Sequence, residues 1–273
     1  MSTSKQLFAA RYGDDSLPAP AAWSPVIEHL LNHRSIRAYL PDPVDDDQLA
    51  AIIAAAQSAS SSSNLQVWSV VAVRDPARRA KLAELAAGQS QVADAPLQLV
   101  WIADLARLER VAEMTGRPSG ALDYLETFLM GAIDAALAAQ NAAAAAESLG
   151  LGLCFIGGMR DKPEEVASLL DLPPKTVAVF GMCVGKPDPA RPASIKPRLP
   201  QSVVLHHERY SLDAQVPGIE SYNAAMARFY EQQKMNVRGA WADHSSKRIA
   251  GAETLSGRDK MVDLLRERGF PLK

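Results

Sequence analysis

A chain of 273 residues, 48% hydrophobic and 22% charged, can bury a sizeable core and has an ordinary globular composition. Its formal net charge of −2 creates no global field for nucleic acid or an anionic membrane, so any anion must be met by a local cluster and is a small ligand. Cys154 and Cys183 each sit in an apolar run and form neither a disulfide framework nor a CxxC motif, which fits a reducing compartment.

Residues 1–22 are polar and proline-containing, end in the run LPAPAA, and read as a weakly ordered extension. They contain no apolar core of signal-peptide type, so a cytoplasmic protein is expected. Residues 23–273 read as one domain. Ser24-Pro25 is a good helix start, with serine as cap and proline in the first turn, and predicts a helix over about 25–33. At its end stands His33-Arg34-Ser35-Ile36-Arg37, with no carboxylate among its charges until Asp42. Arginine offers a planar fork of donors suited to phosphate oxygens, and serine adds a hydroxyl. A second basic cluster, Lys196-Pro197-Arg198, lies far along the chain. Together the two read as an anion site.

Asp45 with Gln48 resembles a capping box opening a second helix, which ends in the hydroxyl-rich loop Ser60–Asn64. Strands are expected at 67–73, 97–103, 153–157 and 176–185, with a helix from Asp75-Pro76 to about Ala87 and a short one from Pro163. The segment from about Gly120 to Leu149 reads as one long helix, apolar nearly all round and closed by Gly150. Such a helix must be buried on every side, in a core or a subunit interface. Asp134, Gln140 and Asn141 interrupt it, so it is not expected to span a membrane. Helices are expected at 219–233 and 257–269, and the polar stretch 234–248 between them reads as a mobile loop. Few strands and many helices around one sheet make the class α+β.

The familiar catalytic patterns are missing. Gly150-x-Gly152 closes a helix instead of opening one and lacks the third glycine of a dinucleotide fingerprint. His29 and His33 are four apart, but Leu30 stands where a zincin carries glutamate, and His206-His207 are adjacent with no evident third ligand, so no metal is expected. No GxSxG elbow marks a hydrolase. Two basic clusters, a hydroxyl loop with Gln66, a glycine pair at a strand end and no acid–base pair describe a site that holds a cofactor which does the chemistry.

The ordered motifs HRSIR (33–37), SSSSNLQ (60–66), GQ (88–89), AAESLGLGLCFIGGMR (145–160), FGMCVGKP (180–187), KPRLP (196–200) and WADH (241–244) resemble the FMN-dependent nitroreductase superfamily. The similar branch is that of oxygen-insensitive NADPH nitroreductases and NADPH–flavin oxidoreductases. The resemblance implies an α+β fold with a mixed, mainly antiparallel sheet flanked by helices. It also implies an intertwined homodimer with FMN at the interface. His33, Arg34, Ser35, Lys196 and Arg198 resemble the clamp on the FMN phosphate, and Arg37 the cation that stabilises the reduced flavin. Ser61, Ser62, Ser63 and Gln66 resemble the loop that hydrogen-bonds the cofactor, and Gln89 the side chain that meets the pyrimidine carbonyl. Gly157 and Gly158 resemble the strand end whose backbone approaches flavin N5.

The implied activity is two-electron, ping-pong hydride transfer from NADPH, or NADH, to a small aromatic acceptor, a nitroarene first and quinones beyond it. Two alternatives are a reductase that supplies free reduced FMN and a flavin-binding protein without turnover. The chain departs from the pattern at Asn64, where relatives carry a large aromatic, which puts the acceptor in question. It departs again at Gln232 and Thr254, where relatives place arginines on the NADPH 2′-phosphate. Arg238 is then the best remaining candidate for that contact.

Overall fold

Local signals set the helix starts in the computed structural model, which describes residues 3–273. In chain order the elements are α1 (Ser4–Tyr12), α2 (Pro25–Leu31), α3 (Asp46–Gln57), β1 (Trp68–Val73), α4 (Pro76–Leu85), α5 (Ser90–Asp94), β2 (Leu97–Asp104), α6 (Ala106–Thr115), α7 (Leu125–Ser148), β3 (Gly152–Ile156), α8 (Pro163–Leu169), β4 (Thr176–Gly185), α9 (Gln201–Val204), α10 (Val216–Gln232), α11 (Trp241–Arg248) and α12 (Met261–Glu267). Ser24 caps α2 through its side chain, and Asp45 and Gln48 close the expected capping box on α3. The chain divides into two compact units, one of residues up to Arg34 with Ala193–Leu255, the other of Ser35–Pro192 with Ser256–Lys273.

The larger unit holds a four-stranded sheet in the order β1-β2-β4-β3, with every neighbouring pair antiparallel. The expected mixed character is reduced to one isolated parallel bridge between Ser35 and Leu153. Alternate residues Leu97, Leu99 and Trp101 of β2, with Met182 and Val184 of β4, face the alanines of α7 and Ile52 and Ala56 of α3. Small residues bring α7 close: a Cβ on Gly131 would lie 3.1 Å from the Ala103 Cβ and 3.2 Å from the Val67 carbonyl oxygen.

The long helix is shorter and less uniformly buried than its composition predicts. It begins at Leu125, after a 3-10 turn at Gly120–Asp123 and an extended Tyr124. One face, including Gly131, Asp134, Ala138, Ala142 and Ala146, is buried on the sheet. The other face carries Leu125, Leu129, Ile133 and Leu137, one turn apart and all exposed.

In the smaller unit, Tyr222, Met226 and Phe229 of α10 pack with Leu199 and Trp241. Here the sequence reading is corrected twice. Residues 4–12, within the stretch expected to be weakly ordered, form α1, while Met1 and Ser2 lie outside the described residues. A Thr3–Gln6 capping box starts α1, Gly13 ends it at φ +65°, and Leu7, Phe8 and Arg11 are buried. Within the stretch read as a mobile loop, Trp241–Arg248 is helix α11. The Asp243 carboxylate accepts the Ala240 N–H at 2.7 Å, and Trp241 stacks edge-on against Tyr222 with centroids 5.2 Å apart. His244 meets Tyr230 edge-on as well, at 5.9 Å, so aromatic contacts with α10 supply what the polar sequence hides.

Candidate functional site

The smaller unit gathers one basic cluster. The buried Arg11 guanidinium donates to the carbonyl oxygens of Lys196 at 3.1 Å, Leu31 at 2.8 Å and His33 at 2.6 Å. The Arg11 carbonyl in turn accepts the Arg198 N–H at 2.8 Å. The loop after α2, bearing His33 and Arg34, is thereby tied to the Lys196–Arg198 segment. Tyr222 holds the same segment from below, its hydroxyl donating to the Pro197 carbonyl at 3.0 Å. The side chains of Lys196 and Arg198 are on exposed residues, and the Arg34 guanidinium leans on the Asn32 side chain at 2.9 Å. Three cations and an imidazole on two main-chain segments tied together suit a dianionic phosphate, so the donor set fits the phosphate end of FMN.

Ser35 and Arg37 belong to the larger unit, and the Ile36 N–H donates to the Leu153 carbonyl at 2.8 Å. With Ile36 and Ala38 buried, the extended backbone turns Arg37 outward. Its charge acts on Tyr39 and on the paired thiols Cys154 and Cys183, opposing the rise that burial imposes on all three. Burial pushes the Cys183 thiol up to about 12. These cysteines are packing groups.

Gln89 and the glycine turn after β3 come together. A Cβ on Gly158 would stand 2.9 Å from both the Ala86 Cβ and the Gln89 amide nitrogen, so only glycine fits. Gln89 is fixed by donating to the Ala86 carbonyl and accepting from Gln91, both at 2.9 Å. Gly157 lies beside two guanidiniums that sequence reasoning missed: its added Cβ would be 3.5 Å from Arg160 and 3.7 Å from Arg258. Arg258 is paired with Asp161 at 2.6 Å, and Arg160 donates to the Val179 carbonyl. Desolvation and the neighbouring Arg258 charge lower the Arg160 pKa. The IGGMR run carried Arg160 in plain view, but nothing in the sequence joined it to residue 258.

The serine loop lies elsewhere. It precedes β1, at the edge of the sheet opposite β3, three strand spacings or roughly 14 Å away. One chain therefore does not bring Ser61, Ser62, Ser63 and Gln66 to Gly157 and Gly158. The loop is tightly built all the same. Asp134, only 2% exposed, accepts the Ser61 hydroxyl at 2.6 Å and the N–H groups of Ser62 at 3.3 Å and Val67 at 3.4 Å. Ser63, Asn64 and Gln66 all adopt positive φ, at 49°, 55° and 52°. Three such residues in four store strain, which surrounding contacts must hold. Arg107 supplies some of them, donating to the carbonyls of Gln66 at 2.7 Å and Trp68 at 3.1 Å. Asn64, Gln66, Trp68 and Arg107 line a cavity of about 570 Å³. The signal for Asp134 was a lone carboxylate in an apolar helix.

Of the nucleotide candidates, Arg238 is exposed in the loop between α10 and α11. Arg248 and Thr254 are engaged with each other, the Thr254 hydroxyl donating to the Arg248 carbonyl at 2.8 Å. Gln232 lines a cavity of about 530 Å³ between α1 and α10.

Comparison with known proteins decides the family. Residues 30–186 match the nitroreductase family, and residues 196–273 match the nitroreductase family C-terminal domain. The chain belongs to the nitroreductase family. It is 42% identical to an oxygen-insensitive NADPH nitroreductase of Salmonella typhimurium over 223 residues, covering 81% of this chain and 89% of that one. It is 39% identical to an NADPH-flavin oxidoreductase of Vibrio harveyi over 226 residues, 82% of this chain and 91% of that one. Among solved structures, NfrA2 of B. megaterium superposes with a TM-score of 0.86 at 38% identity, covering 92% of this chain and 100% of that one. The nitroreductase fold accounts for the antiparallel sheet and its flanking helices.

Proposed function

We propose that this nitroreductase-family chain is an FMN-dependent NAD(P)H oxidoreductase that reduces nitroaromatic compounds, and quinones beside them, in two-electron steps. The observation that carries the reading is the basic cluster of His33, Arg34, Lys196 and Arg198, built by buried main-chain contacts and suited to a phosphate. Relatives named as NADPH nitroreductase, NADPH-flavin oxidoreductase and FMN reductase support it.

Bound FMN supplies the two-electron carrier that the side chains themselves lack. The protein's part is to bind, orient and polarise. His33, Arg34, Ser35, Lys196 and Arg198 would hold the phosphate, and Arg37 would supply the cation that stabilises the reduced flavin. Gln89 would read the pyrimidine edge, and Gly158 lets the turn after β3 pack directly on Ala86 and Gln89. Arg160 and Arg258 add positive charge at that turn, where an anionic nucleotide or acceptor is drawn in. Asn64 offers an amide in place of a hydrophobic ring, which favours an acceptor with a polar aromatic ring.

The second copy completes the site. Since the serine loop and the glycine turn stand at opposite sheet edges, a homodimer in which one subunit's loop meets the other's turn gives each cofactor both sets. The exposed stripe Leu125, Leu129, Ile133 and Leu137 on α7 is the apolar surface for that association. We place the protein in the cytoplasm, where its two free thiols stay reduced.

The test is purification followed by turnover. A yellow protein with one FMN per chain should oxidise NADPH only with an acceptor present, giving parallel double-reciprocal lines as one cavity serves donor and acceptor in turn. Colourless protein would refute FMN, and intersecting lines would refute the shared cavity. Release of free reduced FMN with no nitroarene turnover would turn the reading to a flavin reductase.

A further inference from the structure

Arg11 lies before the region matched to the nitroreductase family, which begins at residue 30, yet it is 7% exposed and sits at the centre of the basic cluster. A buried guanidinium that donates to the main chain of two distant segments constrains both. Its contacts with the Leu31 and His33 carbonyls hold the turn after α2, and its contact with the Lys196 carbonyl holds the second segment. The Arg198 N–H donating to the Arg11 carbonyl closes the arrangement at 2.8 Å. The peptide group is planar and trans, so a His33 carbonyl turned toward Arg11 directs the Arg34 N–H the opposite way. The guanidinium also adds a fixed positive charge behind residues 33 and 196.

The anchoring helix is itself secured. Gly13 at φ +65° ends α1 where a Cβ would stand 3.1 Å from both the Ala225 Cβ and the Pro197 Cγ. Arg228 donates to the Gly13 carbonyl at 3.0 Å. The C-terminal end of α1, at Gly13, is therefore fixed against α10 and the segment that carries Lys196 and Arg198.

We propose that Arg11 is a positioning residue for the phosphate of the bound flavin mononucleotide, so that the N-terminal segment is a working part of the cofactor site. The proposal rests on reading His33, Lys196 and Arg198 as phosphate ligands. It predicts a defect confined to the phosphate: loss of Arg11 weakens FMN and leaves riboflavin, which has the same ring and ribityl chain without the phosphate, almost unchanged.

The experiment titrates FMN and riboflavin into full-length, flavin-stripped protein, for wild type, Arg11→Ala and Arg198→Ala. The expected result is a roughly tenfold or greater rise in the FMN Kd of both variants, with riboflavin Kd within about twofold of wild type. A selective FMN loss in Arg198→Ala alone, with Arg11→Ala unchanged or weakened equally for both flavins, overturns the role of Arg11 and leaves the phosphate reading standing. No FMN loss in Arg198→Ala overturns the phosphate reading and the proposal with it. If Arg11→Ala does not fold, Arg11→Gln, which keeps part of the stem and two donors, is read by the same ratio. A wild-type ratio of FMN to riboflavin affinity in that variant overturns the proposal.

Discussion

The Asp134 carboxylate accepts the Ser61 hydroxyl at 2.6 Å, joining the core helix α7 to the serine loop before β1. The same carboxylate takes two main-chain N–H groups, so one buried charge holds a loop with three positive-φ residues. Asp134→Ala strands those donors. Unmet hydrogen bonds to a buried charged group predict a loss of roughly 2–4 kcal/mol of stability, measured by urea unfolding of the flavin-loaded protein. Asp134→Asn, which keeps one acceptor, should recover part of it. An unchanged midpoint in Asp134→Ala would show that the loop holds itself.

The Arg198 N–H is held by the Arg11 carbonyl, and its exposed guanidinium reaches the Lys196 carbonyl, at 3.4 Å. A charge-assisted contact contributes roughly 1.5–3 kcal/mol, so Arg198→Ala should bind FMN about ten- to a hundredfold more weakly. Flavin retained after gel filtration measures this. Ser60→Ala, at the end of the α3 loop, should retain FMN fully.

Ile133 stands in the middle of the exposed stripe on α7. On the proposed dimer, Ile133→Glu places a charge where the second subunit packs, and sedimentation should find dimer for wild type and monomer for the variant. If, as proposed, the serine loop of one chain meets the glycine turn of another, the monomer should also lose most of its FMN. A flavin-loaded monomer would refute the shared site.

Burial raises the Cys183 thiol to about 12 and the Cys154 thiol in the same direction. In the unfolded chain a thiol ionises near its ordinary value, so the native state holds its proton more tightly. The stability this represents is fully present below pH 9 and is lost as pH rises from there toward 12. At pH 8, iodoacetamide should leave both cysteines unlabelled in the native protein and label both in denaturant. Fast native labelling would show an open route to the sheet.

Arg238 is exposed in the loop where nitroreductase relatives are expected to meet the 2′-phosphate. Arg238→Ala should raise KM for NADPH by roughly tenfold and leave NADH nearly unchanged. Equal weakening of both nucleotides would remove Arg238 from that role and direct attention to Arg160 and Arg258.

Much of this protein was legible in its sequence because the signals are local. Ser24, Asp45 and Asp75 announce their helices through caps that span three residues, and the apolar runs of β1 and β2 declare strands by composition. The ordered motifs from HRSIR to KPRLP carried the family. What the linear order could not contain is which surfaces meet. Helix α1 reads as a tail because its few apolar residues acquire meaning only in tertiary contacts, with α2 among them, and α11 reads as a loop until Trp241 finds Tyr222. Arg11 and Lys196 are 185 residues apart, as the bond between them records, and no spacing rule connects a side chain to a distant carbonyl. The apolar character of α7 was plain, but its division into a buried alanine face and an exposed leucine and isoleucine face was decided by the sheet. A sheet can cover one side of a helix only, and the remaining side stays exposed.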